Sequence, residues 1–296
     1  MSAPRFSTIS FLSDYGHADE FVGVVHSVIR TLAPHVAVVD VGHGVPAHDV
    51  RAGGLQLART VQYLAPGVVL AVVDPGVGTA RRGIAVEVGD GASVLVGPDN
   101  GLLAPAVAMV GGATRVVELT SPTHRLEAPG PTFDGRDVFA PAAAHLCLGV
   151  PLDELGPEVD AATLRPGLVP LPQPEDGGLG AEVLWVDRYG NAQLNVGPDE
   201  LDELGPEAAE VVAVRVEGTT RTARRARAYG DLAPGVLGLA VDSYGLLALV
   251  LDRRSAAAEL GLAAGDGVTL LPVDEDGAGA EPSPGAAQPV ELRRRG

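Results

Sequence analysis

Carboxylates recur where a parallel sheet would gather its ligands. Asp14 follows the apolar run Thr8-Ile9-Ser10-Phe11-Leu12, Asp40 lies at the end of the run 36–41, and Asp74 follows the continuous run 68–73. Open α/β sheets bind small molecules at the carboxyl ends of their strands, although Asp is also a common turn and N-cap residue. After Asp74 the chain reads Pro75-Gly76-Val77-Gly78-Thr79-Ala80-Arg81-Arg82, so it can turn on its glycines and return Arg81 to the carboxylate. An Asp beside an Arg stays ionised. Such a pair either pins the loop or forms a polar clamp that positions a small reactant, such as a water molecule. Gly76 and Gly78 do not make a dinucleotide fingerprint, because the third glycine and a following helix start are missing.

Two further segments concentrate polar groups. In Pro131-Thr132-Phe133-Asp134-Gly135-Arg136-Asp137-Val138-Phe139, three charges flank a glycine just before a helical pattern. Arg136 and Asp137 there suit capping or dipole balance. Val186-Asp187-Arg188-Tyr189-Gly190-Asn191 has a strand-turn-strand pattern, most simply a hairpin turn. Of the seven histidines only His43, His48 and the neighbouring Asp49 cluster, at a spacing that fits no zinc motif, so no metal site is expected. His26 and His145 fall on helix faces and read as core or surface residues. Cys147, the single cysteine, sits among apolar helix neighbours, a poor setting for a nucleophile. No GxSxG elbow occurs.

The elements that must position these groups change character along the chain. The first half alternates short β-branched runs with helical patterns. Strands are expected at 8–12, 36–41, 68–73, 84–88 and 93–96, with helices from Glu20 to about Leu32, at 50–64 and at 138–149. The run at 68–73 reads as a central strand buried on both faces. Beyond residue 180 the signal is mostly strands, at 182–186, 211–216, 236–241, 246–251 and 268–271, with a short helix at 255–260. The expected fold class is α/β: an N-terminal, mostly parallel α/β sandwich domain (1–165), a linker (166–180) and a smaller β-rich, barrel-like domain (181–273). The tail at 274–296 is Gly, Pro, Ala and charge, and reads as disordered.

Composition narrows the functions. The 296 residues carry a net charge of −17, which opposes a nucleic-acid partner. All 21 basic residues are Arg, so a Schiff-base or P-loop lysine is excluded. No apolar run approaches the roughly 18 residues of a membrane span, and no secretory leader pattern is visible. One cysteine allows no internal disulfide, which fits a reducing cytoplasmic setting.

Taken together these segments resemble the S-adenosylmethionine (SAM) hydrolase family, the SAM hydroxide adenosyltransferases, related to SAM-dependent chlorinases and fluorinases. The resemblance rests on SDYGHADEFVG at 13–23, VDVGHGVPAHDV at 39–50, VVDPGVGTARRGIAV at 72–86 and VGPDNGLL at 96–103. PTFDGRDVFAPAAAHL at 131–146, VDRYGN at 186–191 and DSYGLLALVLDRRSAAAEL at 242–260 extend it. It implies a homotrimer whose active sites lie between the N-terminal domain of one subunit and the C-terminal domain of the next. The implied reaction is attack of water on the ribose 5′ carbon of SAM, yielding adenosine and methionine with no cofactor. Asp74 and Arg81 match two members of the family's Asp-Arg-His set; Asp134 stands where the family has His in TFHGRD. That second carboxylate is costly beside Asp74 unless Arg81, or Arg136, lies between them or one acid holds a proton. The resemblance further implies that Asp14 binds the ribose diol, His48 walls the ribose pocket, Asn191 contacts adenine, and Asp187 and Ser243 hold the methionine end. Tyr244 stands where halogenating relatives carry Arg. The departure at Asp134 leaves one alternative, a SAM or adenosine binder with little turnover; the halogenating relatives suggest another, halide attack on SAM, which carboxylates at 74 and 134 would disfavour.

Overall fold

The computed structural model describes residues 5–205, 208 and 210–273, and the chain divides into two compact units, Met1–Val169 and Pro170–Gly296. The first unit runs β1 (Thr8–Ser13), α1 (Phe21–Leu32), β2 (Ala37–Gly42), α2 (Val50–Val61), β3 (Val68–Val72), β4 (Gly83–Val88) and β5 (Ser93–Pro98). It continues with α3 (Ala104–Met109), β6 (Ala113–Glu118), α4 (Ala140–Cys147) and α5 (Leu152–Leu155). The sheet order is β2-β1-β3-β5-β4-β6.

β3 shows why this sheet is sandwiched. Successive side chains point to opposite faces of a strand, and all five of its residues are apolar and buried. Val68, Leu70 and Val72 join one core with Val25 and Ile29 of α1 and Leu146 of α4. Val69, Ala71 and the adjoining Val73 join the opposite core with Leu57 and Val61 of α2 and Ala106 of α3. Each fully buried Val or Leu contributes about 1.5–3 kcal/mol, so a polar residue on either face of β3 would be strongly destabilising.

From β1 the chain passes to β2 on one side and then to β3 on the other, all parallel. This reversal is a topological switch point, where the carboxyl ends of neighbouring strands open a crevice. Asp14 and Asp74 emerge there. The sheet is parallel except for β4, which runs antiparallel to β5 and β6. The link between β4 and β5 is one 3-10 turn, Gly89–Gly91, too short for a parallel crossover.

The helix expected at 138–149 begins earlier, with one π-helical turn at Gly135–Phe139 leading into α4. Pro141 has no N–H for the Asp137 carbonyl, and the Leu126 N–H takes that acceptor at 2.9 Å. The Ala140 N–H reaches back to the Gly135 carbonyl. Such bulges occur frequently at functional sites, and this one follows directly from Asp134.

The second unit comprises β7 (Gln173–Glu175), β8 (Gly178–Val186), β9 (Ala192–Leu194), α6 (Pro198–Asp202), β10 (Val211–Val216) and β11 (Thr219–Ala226). β12 (Gly238–Val241), β13 (Leu247–Val250), α7 (Ala256–Leu260) and β14 (Gly267–Leu271) complete it. The strand order is β14-β10-β11-β12-β13-β9-β8-β7, and β14 also pairs with β8, closing a barrel to which β7 is appended. Val183, Leu194, Val212, Leu239, Leu249 and Leu270 fill its interior.

The division between units falls after Val169, and residues 173–180, read from sequence as linker, form β7 and the start of β8. Their turn residues, Asp176 and Gly177, both have positive φ (51° and 80°), the requirement of a tight hairpin. The tail at 274–296 lies outside the described residues.

Candidate active site

The Asp74 loop turns back as its glycines allow. Arg81 Nη2 donates to Asp74 Oδ2 and to Asp134 Oδ2, each at 2.6 Å. The three side chains are 6% (Asp74), 9% (Arg81) and 22% (Asp134) exposed. One guanidinium nitrogen therefore holds two carboxylates apart in a nearly dry setting, the arrangement that makes an acid at position 134 tolerable. The Arg81 guanidinium also lies over the Phe139 ring, 5.3 Å from its centroid. Arg136 does not share this work; it pairs with Asp137 at 2.6 Å.

Burial raises the Asp74 carboxyl above its ordinary value; Arg81 opposes the rise, the Asp134 charge adds to it, and the net shift is upward. Asp74 Oδ1 is buried without a hydrogen-bond partner among the described residues. An ionised carboxylate with one oxygen anchored and the other unoccupied can orient a water and accept its proton.

A cavity of about 300 Å³ opens beside this group, lined by Asp14, Asp19, Asp74 and Asp134 together with His48 and an aromatic wall. Its size is at the low end for small-molecule sites, roughly 300–1,000 Å³. Tyr15, Phe21 and Phe133 make that wall, their ring centroids 5.1 to 5.7 Å apart. These three were not singled out from sequence. For Tyr15 and Phe133 the signal was available in SDYG and TFDG, where aromatics adjoin Asp14 and Asp134 in a chain with only 4% aromatic residues. Tyr15 lies so close to Gly135 that a Cβ there would collide with its hydroxyl oxygen and ring, so the glycine of TFDGRD is a steric requirement. Burial, then the charges of Asp14, Asp74 and Asp134, push the Tyr15 hydroxyl up, so it stays protonated. Asp14 accepts from the His48 N–H at 2.9 Å, tying β1 to the loop before α2, where His48 has φ 69°.

The remaining sequence candidates lie in the second unit, where two turns share one construction. In Val186-Asp187-Arg188-Tyr189-Gly190, Asp187 Oδ1 accepts from the N–H groups of Tyr189 (2.8 Å) and Asn191 (2.9 Å), and Oδ2 accepts from Asn191 Nδ2 at 2.8 Å. In Val241-Asp242-Ser243-Tyr244-Gly245, Asp242 Oδ1 accepts from Tyr244 N–H (2.8 Å) and Leu246 N–H (3.2 Å), and Oδ2 accepts from Gln193 Nε2. Burial and then the charges of Asp187 and Asp242 raise the Tyr229 hydroxyl above its ordinary value. Tyr189, Tyr229 and Tyr244 are 75%, 47% and 43% exposed, and Ser243 is exposed beside them. Asp242 and Tyr229 were missed in the sequence; the repeated V-D-x-Y-G was the clue to Asp242, whereas Tyr229 had no local signature.

The histidines group differently from the sequence expectation. Asp49 caps α2 through the Ala52 N–H at 2.8 Å, and His43 meets His26 and Asp40 rather than His48 and Asp49. Cys147 ends α4 buried, and that burial pushes its thiol up to about 12, a poor setting for a nucleophile.

An α/β sandwich with dry acids and a guanidinium at its switch point, joined in one chain to a closed barrel, defines a class: small-molecule enzymes that work with carboxylate and guanidinium groups. Residues 9–156 match the SAM hydroxide adenosyltransferase N-terminal domain and residues 181–269 the C-terminal domain, and the chain belongs to that family. It is 49% identical over 258 residues to the (R)-S-adenosyl-L-methionine hydrolase of Salinispora tropica, covering 87% of this chain and 95% of that protein. It is 41% identical over 271 residues to the protein of that name from Thermus thermophilus (89% and 99% covered). The crystal structure of an uncharacterized conserved protein from Thermotoga maritima superposes with a TM-score of 0.82 at 32% identity, covering 89% of this chain and 99% of that one.

Proposed function

We propose that this protein hydrolyses SAM to adenosine and L-methionine by attack of water on the ribose 5′ carbon. The observation that carries the mechanism is Arg81 bridging Asp74 and Asp134 while Asp74 Oδ1 stays buried without a hydrogen-bond partner among the described residues. Asp74 orients the water and accepts its proton as the C5′–O bond forms. The C5′–S bond breaks with both electrons going to sulfur, so the sulfonium departs as a neutral thioether that needs no general acid. Arg81 keeps Asp74 ionised, and Asp134 fixes Arg81. No cofactor takes part in this reading.

Asp14 holds the ribose diol beside His48, and the aromatic wall faces the sulfonium, to which π faces are attractive. Asn191, Asp187, Ser243 and Tyr244 recognise the adenine and methionine ends. The reading includes a cytoplasmic homotrimer, in which the acidic and aromatic face of one copy's second unit completes the pocket on another copy's first unit. No described helix is long and apolar enough to cross a membrane.

Electrostatics separates hydrolysis from halogenation. Four carboxylates line the cavity, and two unit negative charges about 4 Å apart repel by roughly 4 kcal/mol at an effective dielectric of 20. A sulfonium cation is drawn into such a site and a halide is not. Incubation of the purified protein with SAM, with products separated by chromatography, decides the matter. Adenosine and methionine in equal amounts above the spontaneous background are expected. Intact SAM recovered after tight binding would make the protein a binder, and a halogenated nucleoside in chloride or fluoride would reassign the nucleophile.

A further inference from the structure

Outside the pocket lining, α1 and the edge strand β2 bring two imidazoles and one carboxylate together. His26 Nε2 lies 2.8 Å from Asp40 Oδ1, and His43 Nε2 lies 3.0 Å from the same oxygen. The three candidate donor atoms fall within 4.8 Å of one another. The two contacts differ in kind. His26 and Asp40 form a well-aligned hydrogen bond. His43 has no exposed side-chain surface, and its Nε2, 3.0 Å from Asp40, makes no well-formed hydrogen bond among the described residues.

The other nitrogen of His43 is fixed. Nδ1 lies 2.7 Å from Ser13 Oγ, and the ring packs edge-on to Phe11 with centroids 4.6 Å apart. When Nδ1–H donates to Ser13, the Nε2 lone pair faces the carboxylate. That juxtaposition is repulsive on its own and attractive around a cation. Metal-bound imidazoles are typically held this way, by a hydrogen bond from the second nitrogen to a neighbouring oxygen.

We propose that His26, Asp40 and His43 bind one divalent cation of borderline softness, of which zinc is the representative. Two imidazole nitrogens and a carboxylate oxygen suit such an ion and do not suit the all-oxygen preference of magnesium or calcium. His26 and Asp40 are 34% and 44% exposed, which gives the ion an entry path and leaves solvent to complete its shell. Bonds of about 2.0–2.2 Å to each donor require each imidazole nitrogen to open from its present 2.8 or 3.0 Å to Asp40 Oδ1 by only a few tenths of an ångström. The ion takes no part in the chemistry at Asp74. It anchors the start of the loop that runs from His43 to His48, whose ends are tied to the first strand's exit through the Gly16 N–H to the His43 carbonyl (2.7 Å) and the His48 N–H to Asp14 (2.9 Å).

The test is titration of chelator-treated, dialysed full-length protein with zinc, read by calorimetry and by competition with a chromogenic chelator. One equivalent per chain is expected, with a rise in the thermal midpoint. In His26→Gln, which alters a half-exposed side chain, affinity falls at least tenfold while the circular dichroism and metal-free adenosine formation match wild type. Cobalt in place of zinc gives the visible absorption of a four-coordinate site in wild type alone. No stoichiometric zinc binding, or binding unchanged in both His26→Gln and Asp40→Asn, overturns the proposal. Zinc binding is read without SAM, so its outcome is independent of whether SAM is hydrolysed.

Discussion

The carboxylates of the two units are put to different uses. In the first unit, Asp74 is nearly dry, is held by Arg81 through Oδ2, and has at Oδ1 no hydrogen-bond partner among the described residues. In the second unit, Asp187 and Asp242 each accept three hydrogen bonds from their own turn and its neighbours. A carboxylate satisfied by backbone N–H groups shapes a loop. One that is desolvated and under-satisfied is poised to react. On the proposed mechanism, chemistry is therefore concentrated at the sheet's switch point, while the barrel contributes turns of fixed shape that display tyrosines.

The sharpest way to break that contrast is Asp74→Asn. Turnover should fall by about 10²–10⁴-fold, the usual contribution of a positioned base, with nucleoside affinity nearly kept. The raised carboxyl also predicts the sign of a stability change. Its folded-state value lies above the ordinary one, so its ionisation costs stability, and that cost grows as pH rises through both values. Asp74→Asn should thus melt no lower than wild type at neutral pH in a scanning calorimeter. Turnover equal to wild type would place the chemistry elsewhere.

Asp187→Ala tests the other side of the comparison. Losing the acceptor of two backbone N–H groups and of the Asn191 amide should cost about 1–3 kcal/mol in urea unfolding, and the distorted turn should raise KM far more than it lowers kcat. A kcat loss as large as that of Asp74→Asn would erase the division of labour.

A pH profile sharpens it further. Asp74 must be ionised, so kcat should rise with pH along an acid limb centred above the ordinary carboxylate value of 3.8. Asp134→Ala removes a charge that raises Asp74 and should move that limb to lower pH; an unmoved limb would uncouple the two acids. The smallest effect is expected from Tyr229. Tyr229→Phe should be nearly silent, and Tyr229→Ala should raise KM by a few-fold, in keeping with about 0.5–1.5 kcal/mol for an aromatic contact.

Elements whose apolar periodicity is strong were legible in the sequence. β3 is five consecutive apolar residues, and α1 repeats Phe21, Val25, Val28, Ile29 and Leu32. β11 was not legible, because Thr219–Ala226 is mostly Thr and Arg and only Ala223 is buried. β9 was missed because three residues carry no period, and α3 and β6 because Ala, Gly and Pro blur the pattern there. The return of Arg81 to Asp74 could be foreseen from one loop. The contact of Arg81 with Asp134 spans 53 residues and depends on the fold, although the matching motifs had pointed to all three residues. His26, Asp40 and His43 come from a helix, an edge strand and the turn beyond it, a grouping that no local spacing encodes.

The pairing of β14 with β8 means that the barrel begins and ends on adjoining strands. Its polypeptide thus enters and leaves at one seam. Cutting a surface turn such as Glu217–Gly218 and splicing the old ends together would preserve every ladder, so a rearranged version of this half should still fold. Deleting the last strand instead would unzip the cylinder along that seam and expose the interior residues Val183 and Val214 to solvent.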